Sequence, residues 1–212
     1  MSNSQIDAWA GDFGKEYTNR NAFSFDEMED LYLKLYGVKR TEMNRRFLEG
    51  IDKSIKILEV GANVGDQLNC LQVMGYKDLH GIEINKYALE LAKKRTKDID
   101  FVLGSALDMP FEDGEFDLVY TSGVLIHISP ENIKKVLSEI HRCAKKYIWG
   151  LEYFSEKYVE VPYRDKKNLL WKGDFAKMYL NQFNDLELVK EERYKYVDSD
   201  EIDSMFLLGK KK

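Results

Sequence analysis

The sequence predicts an α/β fold with a mostly parallel sheet and helices on both faces. Three observations predict it. From Lys56 onward, short apolar strand patterns alternate with helical ones. The stretch Ile57-Leu58-Glu59-Val60-Gly61-Ala62-Asn63-Val64-Gly65-Asp66 is an apolar run ending in an acid, then a tight turn of small residues, then a helical pattern. An acid, Glu83, ends the next strand about eighteen residues beyond Gly65.

The elements follow in order. Trp9 to Asn21 is rich in aromatics and glycine and reads as a helical turn with an irregular end. Ser24-Phe25-Asp26-Glu27 is a capping box, and Gly37 ends the helix it opens. Thr41 to Leu48 reads as a second short helix. Both precede the sheet, so residues 1–50 are expected to form a helical cap or lid, with residues 51–212 as the main domain. The first strand is Lys56 to Val60, and its helix runs from Gly65 to Met74. Leu79 to Ile84 is the second strand, and Asn85 caps the helix after it. Phe101 to Gly104 and Phe116 to Ser122 are the third and fourth strands. Ser129 with Pro130 is placed to start the next helix, whose buried face is Ile133, Val136, Leu137 and Ile140. Tyr147 to Tyr153 is the fifth strand, and residues 154–173 are an insertion expected over the active site. A helix from Asp174 to Phe183 and two closing strands, Leu186 to Tyr196 and Met205 to Gly209, complete the chain.

Composition excludes some classes of function. A hydrophobic share of 44% supports a sizeable core, and a formal net charge of -5 argues against a nucleic-acid surface. Two cysteines, Cys70 and Cys143, give neither a disulfide framework nor metal spacing, so buried thiols are expected. No apolar run reaches membrane-span length and no leader pattern opens the chain. The expectation is a cytoplasmic protein, monomer or homodimer, with no membrane or nucleic-acid partner.

Two cofactors compete for the glycine turn. A dinucleotide turn wants G-x-G-x-x-G, which would place Gly61, Asn63 and Asp66 at the three glycines. Asp66 would then face a diphosphate and repel it. S-adenosylmethionine (SAM) carries no phosphate; its ammonium and sulfonium are cations that Glu59 can help hold. Glu83 can accept both hydroxyls of a ribose, which either cofactor supplies.

These residues, with Ser105-Ala106-Leu107-Asp108 and Phe116-Asp117-Leu118-Val119, resemble the class I SAM-dependent methyltransferases over about residues 50 to 153. The resemblance implies a Rossmann-like, seven-stranded sheet with the last strand antiparallel. Ser105 stands where many relatives have an acid. A narrower resemblance spans nearly the whole chain. Trp9…Phe13-Gly14-Lys15-Glu16-Tyr17-Thr18-Asn19-Arg20-Asn21, Leu151-Glu152-Tyr153-Phe154, Val159-Glu160-Val161-Pro162-Tyr163-Arg164 and Leu170-Trp171-Lys172-Gly173-Asp174-Phe175-Ala176 look like the methylases associated with pseudaminic acid biosynthesis. Asp165 departs from that pattern, where a glycine is expected.

The expected cofactor set is Tyr17, Arg20, Glu59, Gly61, Ala62, Asn63, Gly65, Glu83, Ile84, Ser105, Ala106, Leu107 and Ser122, holding SAM and its product S-adenosylhomocysteine. Ala106 offers a backbone N–H to adenine, and Leu107 an apolar face. Methyl transfer to a hydroxyl or amine also needs a proton acceptor. His127, after the fourth strand, is the first candidate for catalysis and Glu152 the second. His127 has a second reading, as a histidine that only hydrogen-bonds its loop. Trp9, Phe13, Tyr153, Tyr163 and Arg164 are the candidate acceptor contacts, with Arg164 able to grip a carboxylate. No clustered carboxylates suggest a metal. The expected function is methyl transfer to an O or N of a small molecule, a nonulosonate-like sugar or related metabolite. The alternatives are a non-catalytic SAM-binding regulatory or assembly module and a protein or RNA methylase.

Overall fold

The computed structural model describes residues 4–164 and 167–211, so Asp165 lies outside the described residues. The chain forms two compact units that meet in sequence between Pro110 and Phe111.

The first unit opens with four helices: α1 (Ser4–Ala10), α2 (Asp12–Arg20), α3 (Phe25–Tyr36) and α4 (Arg40–Leu48). The capping box forms as expected. Ser24 Oγ accepts from the Glu27 N–H, and Glu27 returns a carboxylate to the Ser24 N–H at 2.7 Å. Gly37 ends α3 in the left-handed conformation that L side chains avoid. Then come β1 (Lys56–Val60), α5 (Asp66–Val73), β2 (Asp78–Glu83), α6 (Lys86–Arg95) and β3 (Asp100–Leu103). β2 runs parallel to both β1 and β3, with Glu59 beside Gly81 and Glu83 beside Leu103. This register brings both strand-end acids to the same end of their strands. Leu68 and Leu71 bury the inner face of α5. Cys70 is a buried free thiol, and burial pushes its pKa up to about 12.

The second unit contains β4 (Phe116–Ser122), a 3-10 turn at Leu125–His127, α7 (Ile133–Cys143) and β5 (Ala144–Tyr153). It continues through β6 (Val159–Glu160), β7 (Trp171–Lys172), α8 (Phe175–Gln182), β8 (Leu186–Lys195) and β9 (Ile202–Lys210). α7 buries Ile133, Val136, Leu137 and Ile140, as its spacing predicts. Its start differs from the expectation. The Ser129 carbonyl accepts from the N–H groups of Asn132 and Ile133, so a turn forms first and the helix begins at Ile133. β5 leaves α7 with no loop, since Cys143 ends the helix and Ala144 begins the strand. Cys143 is also buried and free. β4 and β5 are parallel, and β9 is antiparallel to both β5 and β8. Seven successive residues of β9 are buried, the pattern of a strand covered on both faces.

The seven strands share one sheet in the order β3-β2-β1-β4-β5-β9-β8. The last strand is the antiparallel one, as expected. β6 and β7 make a separate two-stranded ribbon inside the 154–173 insertion, pairing Val159 with Lys172 and Glu160 with Trp171. Two-residue strands carry no readable alternation, so the sequence gives no sign of them.

Gly150 of β5 has no room for a side chain. A Cβ there would fall on the ring of Phe206 in β9. Gly150→Ala is expected to lower stability by about 1–3 kcal/mol through overpacking. Denaturant unfolding checks this, and an unchanged midpoint would show that the ring moves aside freely.

Candidate functional site

In the first unit, the turn after β1 is built for close backbone approach. Gly61 and Gly65 have φ of 73° and 79°, and Asn63 joins them with φ 47°. The N–H groups of Gly61 and Ala62 both donate to the Ile82 carbonyl, at 2.8 and 3.1 Å, pinning the turn to β2. A Cβ on Gly65 would sit 2.8 Å from the Phe101 ring.

Glu83 closes this turn from the end of β2. Its Oε2 accepts from the Asn63 N–H at 2.8 Å and its Oε1 from the Asn85 N–H at 2.7 Å. The side chain is only 7% exposed. Burial raises its pKa, while these backbone donors pull the other way. A carboxylate has about four lone-pair sites, so each oxygen keeps acceptor capacity beyond its backbone bond. Two hydroxyls on adjacent carbons match that capacity.

The N-terminal helices are latched to the same turn. The Thr18 hydroxyl of α2 lies 2.8 Å from Asn63 Oδ1 and 3.0 Å from the Gly14 carbonyl. Asn85 uses its whole side chain. Its Oδ1 accepts from the Tyr87 and Ala88 N–H groups to cap α6, and its Nδ2 donates to the Trp9 and Gly11 carbonyls at 2.9 and 3.0 Å. A Cβ on Gly14 would come within 2.6 Å of that Nδ2. Asp66 holds the chain after α2: its Oδ2 accepts from the Phe23 N–H at 2.8 Å, and Arg95 reaches its Oδ1 at 3.2 Å.

Other expected residues fall as follows. Trp9 meets the rings of both Phe13 and Tyr17 edge-on, at 5.1 and 5.3 Å, so the three pack as one aromatic cluster of α1 and α2. Arg20 is exposed and lies 3.9 Å from Glu16. Ile84 is half-buried. Ser105, Ala106 and Leu107 form a half-buried turn in which the Ser105 hydroxyl accepts from the Leu107 N–H. Glu59 is buried, and its charge reaches Cys70 together with those of Arg40 and Glu29. Arg40, 1% exposed, bonds Asn44 and Tyr32, while Glu29 holds Thr41. Sequence reasoning missed this group, because charged residues on short amphipathic helices read as surface.

In the second unit, Glu152 is 1% exposed. Its two oxygens accept from the Val124 and Ile126 N–H groups at 3.2 and 3.3 Å, and burial raises its pKa to about 7. It therefore clamps the 3-10 turn that carries His127. Ser122, at the end of β4, is half-buried beside Leu151. His127 Nδ1 lies 2.7 Å from the Leu169 carbonyl of the insertion. A carbonyl only accepts, so Nδ1 carries the proton and Nε2 the lone pair. The ordinary histidine range expected for a base does not hold, because burial lowers His127 to about 4 and keeps it neutral.

The Tyr163 ring lies 5.5 Å from the His127 ring. Tyr163 also lines a cavity of about 260 Å³, walled with it by Tyr153, Val161, Leu170, Tyr196 and Asp203. Arg164 does not line it; it is exposed, with φ 52° and its guanidinium 5.9 Å from the Tyr163 ring centre. Tyr196 and Asp203 were not legible as site residues, since they come from the two closing strands. Among the described residues no group of His, Cys, Asp or Glu is placed to hold a metal. No described helix is long and apolar enough to cross a membrane.

Residues 58–147 match the family described as a methyltransferase domain. A solved SAM-dependent methyltransferase from Leishmania major superposes with a TM-score of 0.71 at 18% identity, covering 97% of this chain and 87% of that one. The fold is that of a class I SAM-dependent methyltransferase. Among curated proteins, an uncharacterised methyltransferase of Synechocystis is 38% identical over 65 residues, covering 31% of each chain. The 24-methylenesterol C-methyltransferase 2 of Arabidopsis thaliana is 32% identical over 110 residues, covering 49% of this chain and 29% of that protein. The chain thus spans about a third of the length of these relatives. SAM is the cofactor of the methyltransferase domain. The turn fits it: an anchored acid for the ribose, a backbone cradle free of Cβ atoms at two glycines, and an Asp66 carboxylate where a diphosphate would be repelled.

His127 and Glu152, both buried in the second unit, oppose one another. The folded pKa of His127 lies below its ordinary 6.5, so its contribution to stability is complete above about pH 6.5 and is lost as pH falls toward 4. The folded pKa of Glu152 lies above 4.5, so its contribution is complete below that value and is lost as pH rises toward 7. His127→Asn removes only the acid-side loss. The pH of greatest thermal stability is expected to shift downward in this variant, read from melting temperatures across a pH series. An upward shift would contradict the neutral, buried imidazole.

Proposed function

We propose that this protein transfers a methyl group from SAM to an oxygen or nitrogen of a small molecule, a sugar or related metabolite. One observation carries the cofactor half of the reading: Glu83, anchored by two backbone N–H groups beside the glycine turn, with acceptor capacity left for a ribose diol. Bound SAM supplies an electrophilic methyl on a sulfonium. The remaining work falls to the chain. Glu83 orients the ribose, and Thr18 and Asn85 hold α1 and α2 against the turn so that the N-terminal helices serve as the lid. His127, held in one tautomer by Leu169, accepts or orients the acceptor's proton through Nε2. Glu152 keeps the turn beneath His127 in shape. Relatives named for sterols, which are small molecules, support a small acceptor, and the resemblance to sugar-associated methylases favours a sugar.

Calorimetry is expected to show S-adenosylhomocysteine binding near the micromolar range, about -8 kcal/mol, with NAD weaker. Tighter binding of NAD would overturn the cofactor half. Glu83→Gln keeps the shape of the side chain but loses the charge, and should weaken S-adenosylhomocysteine binding about tenfold or more. Unchanged affinity would mean that the acid only braces the turn.

His127→Ala is expected to lower turnover about 10²–10⁴-fold once an acceptor is found, with little change in cofactor affinity. Full turnover at reduced thermal stability would reduce His127 to a structural contact with Leu169.

A further inference from the structure

We propose that Asn85 is a positioning residue for the cofactor: its side-chain amide latches α1 and α2 against the glycine turn, and the latch sets how long the cofactor stays bound. The inference deepens the methyltransferase reading and rests on it only in naming that ligand.

The hydrogen bonds of Asn85 are the first argument. Its side chain is buried, and a carboxamide offers two hydrogens and an acceptor oxygen. Oδ1 takes the Tyr87 and Ala88 N–H groups that open α6. Nδ2 donates to the Trp9 carbonyl at 2.9 Å and to the Gly11 carbonyl at 3.0 Å. The Trp9 carbonyl lies in the last turn of α1, where a helix has no internal partners for its carbonyls, and that turn carries no basic side chain. Gly11 is the N-cap of α2 and brings no side-chain cap. One amide from a distant part of the chain therefore secures the junction of two helices while capping a third. Ser or Asp in its place would keep the cap and lose the amide donors.

The second argument is where the latch stands. The buried residues of α2 are Phe13, Gly14 and Thr18, which share one face of the helix. Gly14 lies so close that a Cβ would fall 1.9 Å from the Trp9 carbonyl oxygen and 2.6 Å from Asn85 Nδ2. One turn on, the Thr18 hydroxyl bonds Asn63 Oδ1 at 2.8 Å. Asn63 and Asn85 are the two residues whose backbone N–H groups hold the Glu83 carboxylate. Their backbones fix the acid that orients a ribose, and their side chains fix α2. A ligand on Glu83 and helices resting on Asn63 and Asn85 share the same two supports, so each stabilises the other. The far end of the segment is anchored separately, by Asp66 and Arg95 on the Phe23 backbone. Loss of the Asn85 and Thr18 bonds therefore frees residues 4–20 and leaves α3 in place.

The test uses the full chain and two measurements: backbone hydrogen exchange, and the association and dissociation rates of S-adenosylhomocysteine by stopped flow. Asn85→Ser keeps an N-cap for α6 and removes the amide; Thr18→Val keeps the shape and removes the hydroxyl. Without ligand, both variants should exchange residues 4–20 at least about threefold faster, with α6 unchanged. Asn85→Ser should speed dissociation of S-adenosylhomocysteine at least about tenfold, and Thr18→Val at least about threefold, with association no slower. In the wild type the ligand should slow exchange over residues 4–20, and this protection should shrink in Asn85→Ser. A merely structural role would lower the melting temperature without this split of the two rates. Unchanged dissociation in a folded variant overturns the inference, as do slower association and unchanged exchange over residues 4–20. Thr18→Val decides the matter if Asn85→Ser does not fold. A wild type that binds no S-adenosylhomocysteine sinks the methyltransferase reading and the claim on residence time with it. Binding by the wild type alongside unchanged dissociation in the variants sinks this inference alone.

Discussion

The buried carboxylate of Glu83 is the constraint on which the first unit depends. An ionised acid at 7% exposure is costly unless donors meet it, and the backbone N–H groups of Asn63 and Asn85 do so. The first fixes the glycine turn after β1. The second fixes the start of α6. Asn85 then extends the arrangement to α1 and α2 through the Trp9 and Gly11 carbonyls, while Thr18 reaches back to Asn63. A single acid at a strand end therefore organises a turn, a helix cap and the two N-terminal helices. Asp66 adds a second tether by holding Phe23 and Arg95.

The second unit repeats the device. Glu152, also at a strand end and also buried, gathers the N–H groups of the turn after β4. Glu152 is 1% exposed, and the turn it gathers is the one that carries His127. The insertion is tied down at the same place: Leu169 accepts from His127, and the Tyr158 hydroxyl donates to the Ile128 carbonyl. A change in either acid acts through a whole turn rather than through one contact.

Much of the fold was legible because its signals are local. β1 and β4 have the bounds that their apolar runs predict, and the capping box, Gly37 and Asn85 act where their residue types require. The start of α7 was misread because Pro130 fits a first helical position, yet the Ser129 carbonyl closes a turn there first. The ribbon of β6 and β7 was invisible because two residues show no period. Arg40, Glu29 and Asn44 gave no signal, because burial of a polar side chain is not written in its own helix.

The sequence by itself determined the alternating architecture, the glycine turn and the acids at the strand ends, since each follows from spacing along a single element and its neighbours. Only the tertiary structure decided what those acids do. Glu83 meets the N–H groups of the turn after β1 and of the start of α6, and Glu152 those of the turn after β4. It also decided the company of Tyr153 and Tyr163, which sit with Tyr196 and Asp203 because antiparallel β9 returns beside β5 and sets Asp203 opposite Tyr153. Registers between strands fifty residues apart depend on packing across the sheet, which no local pattern encodes.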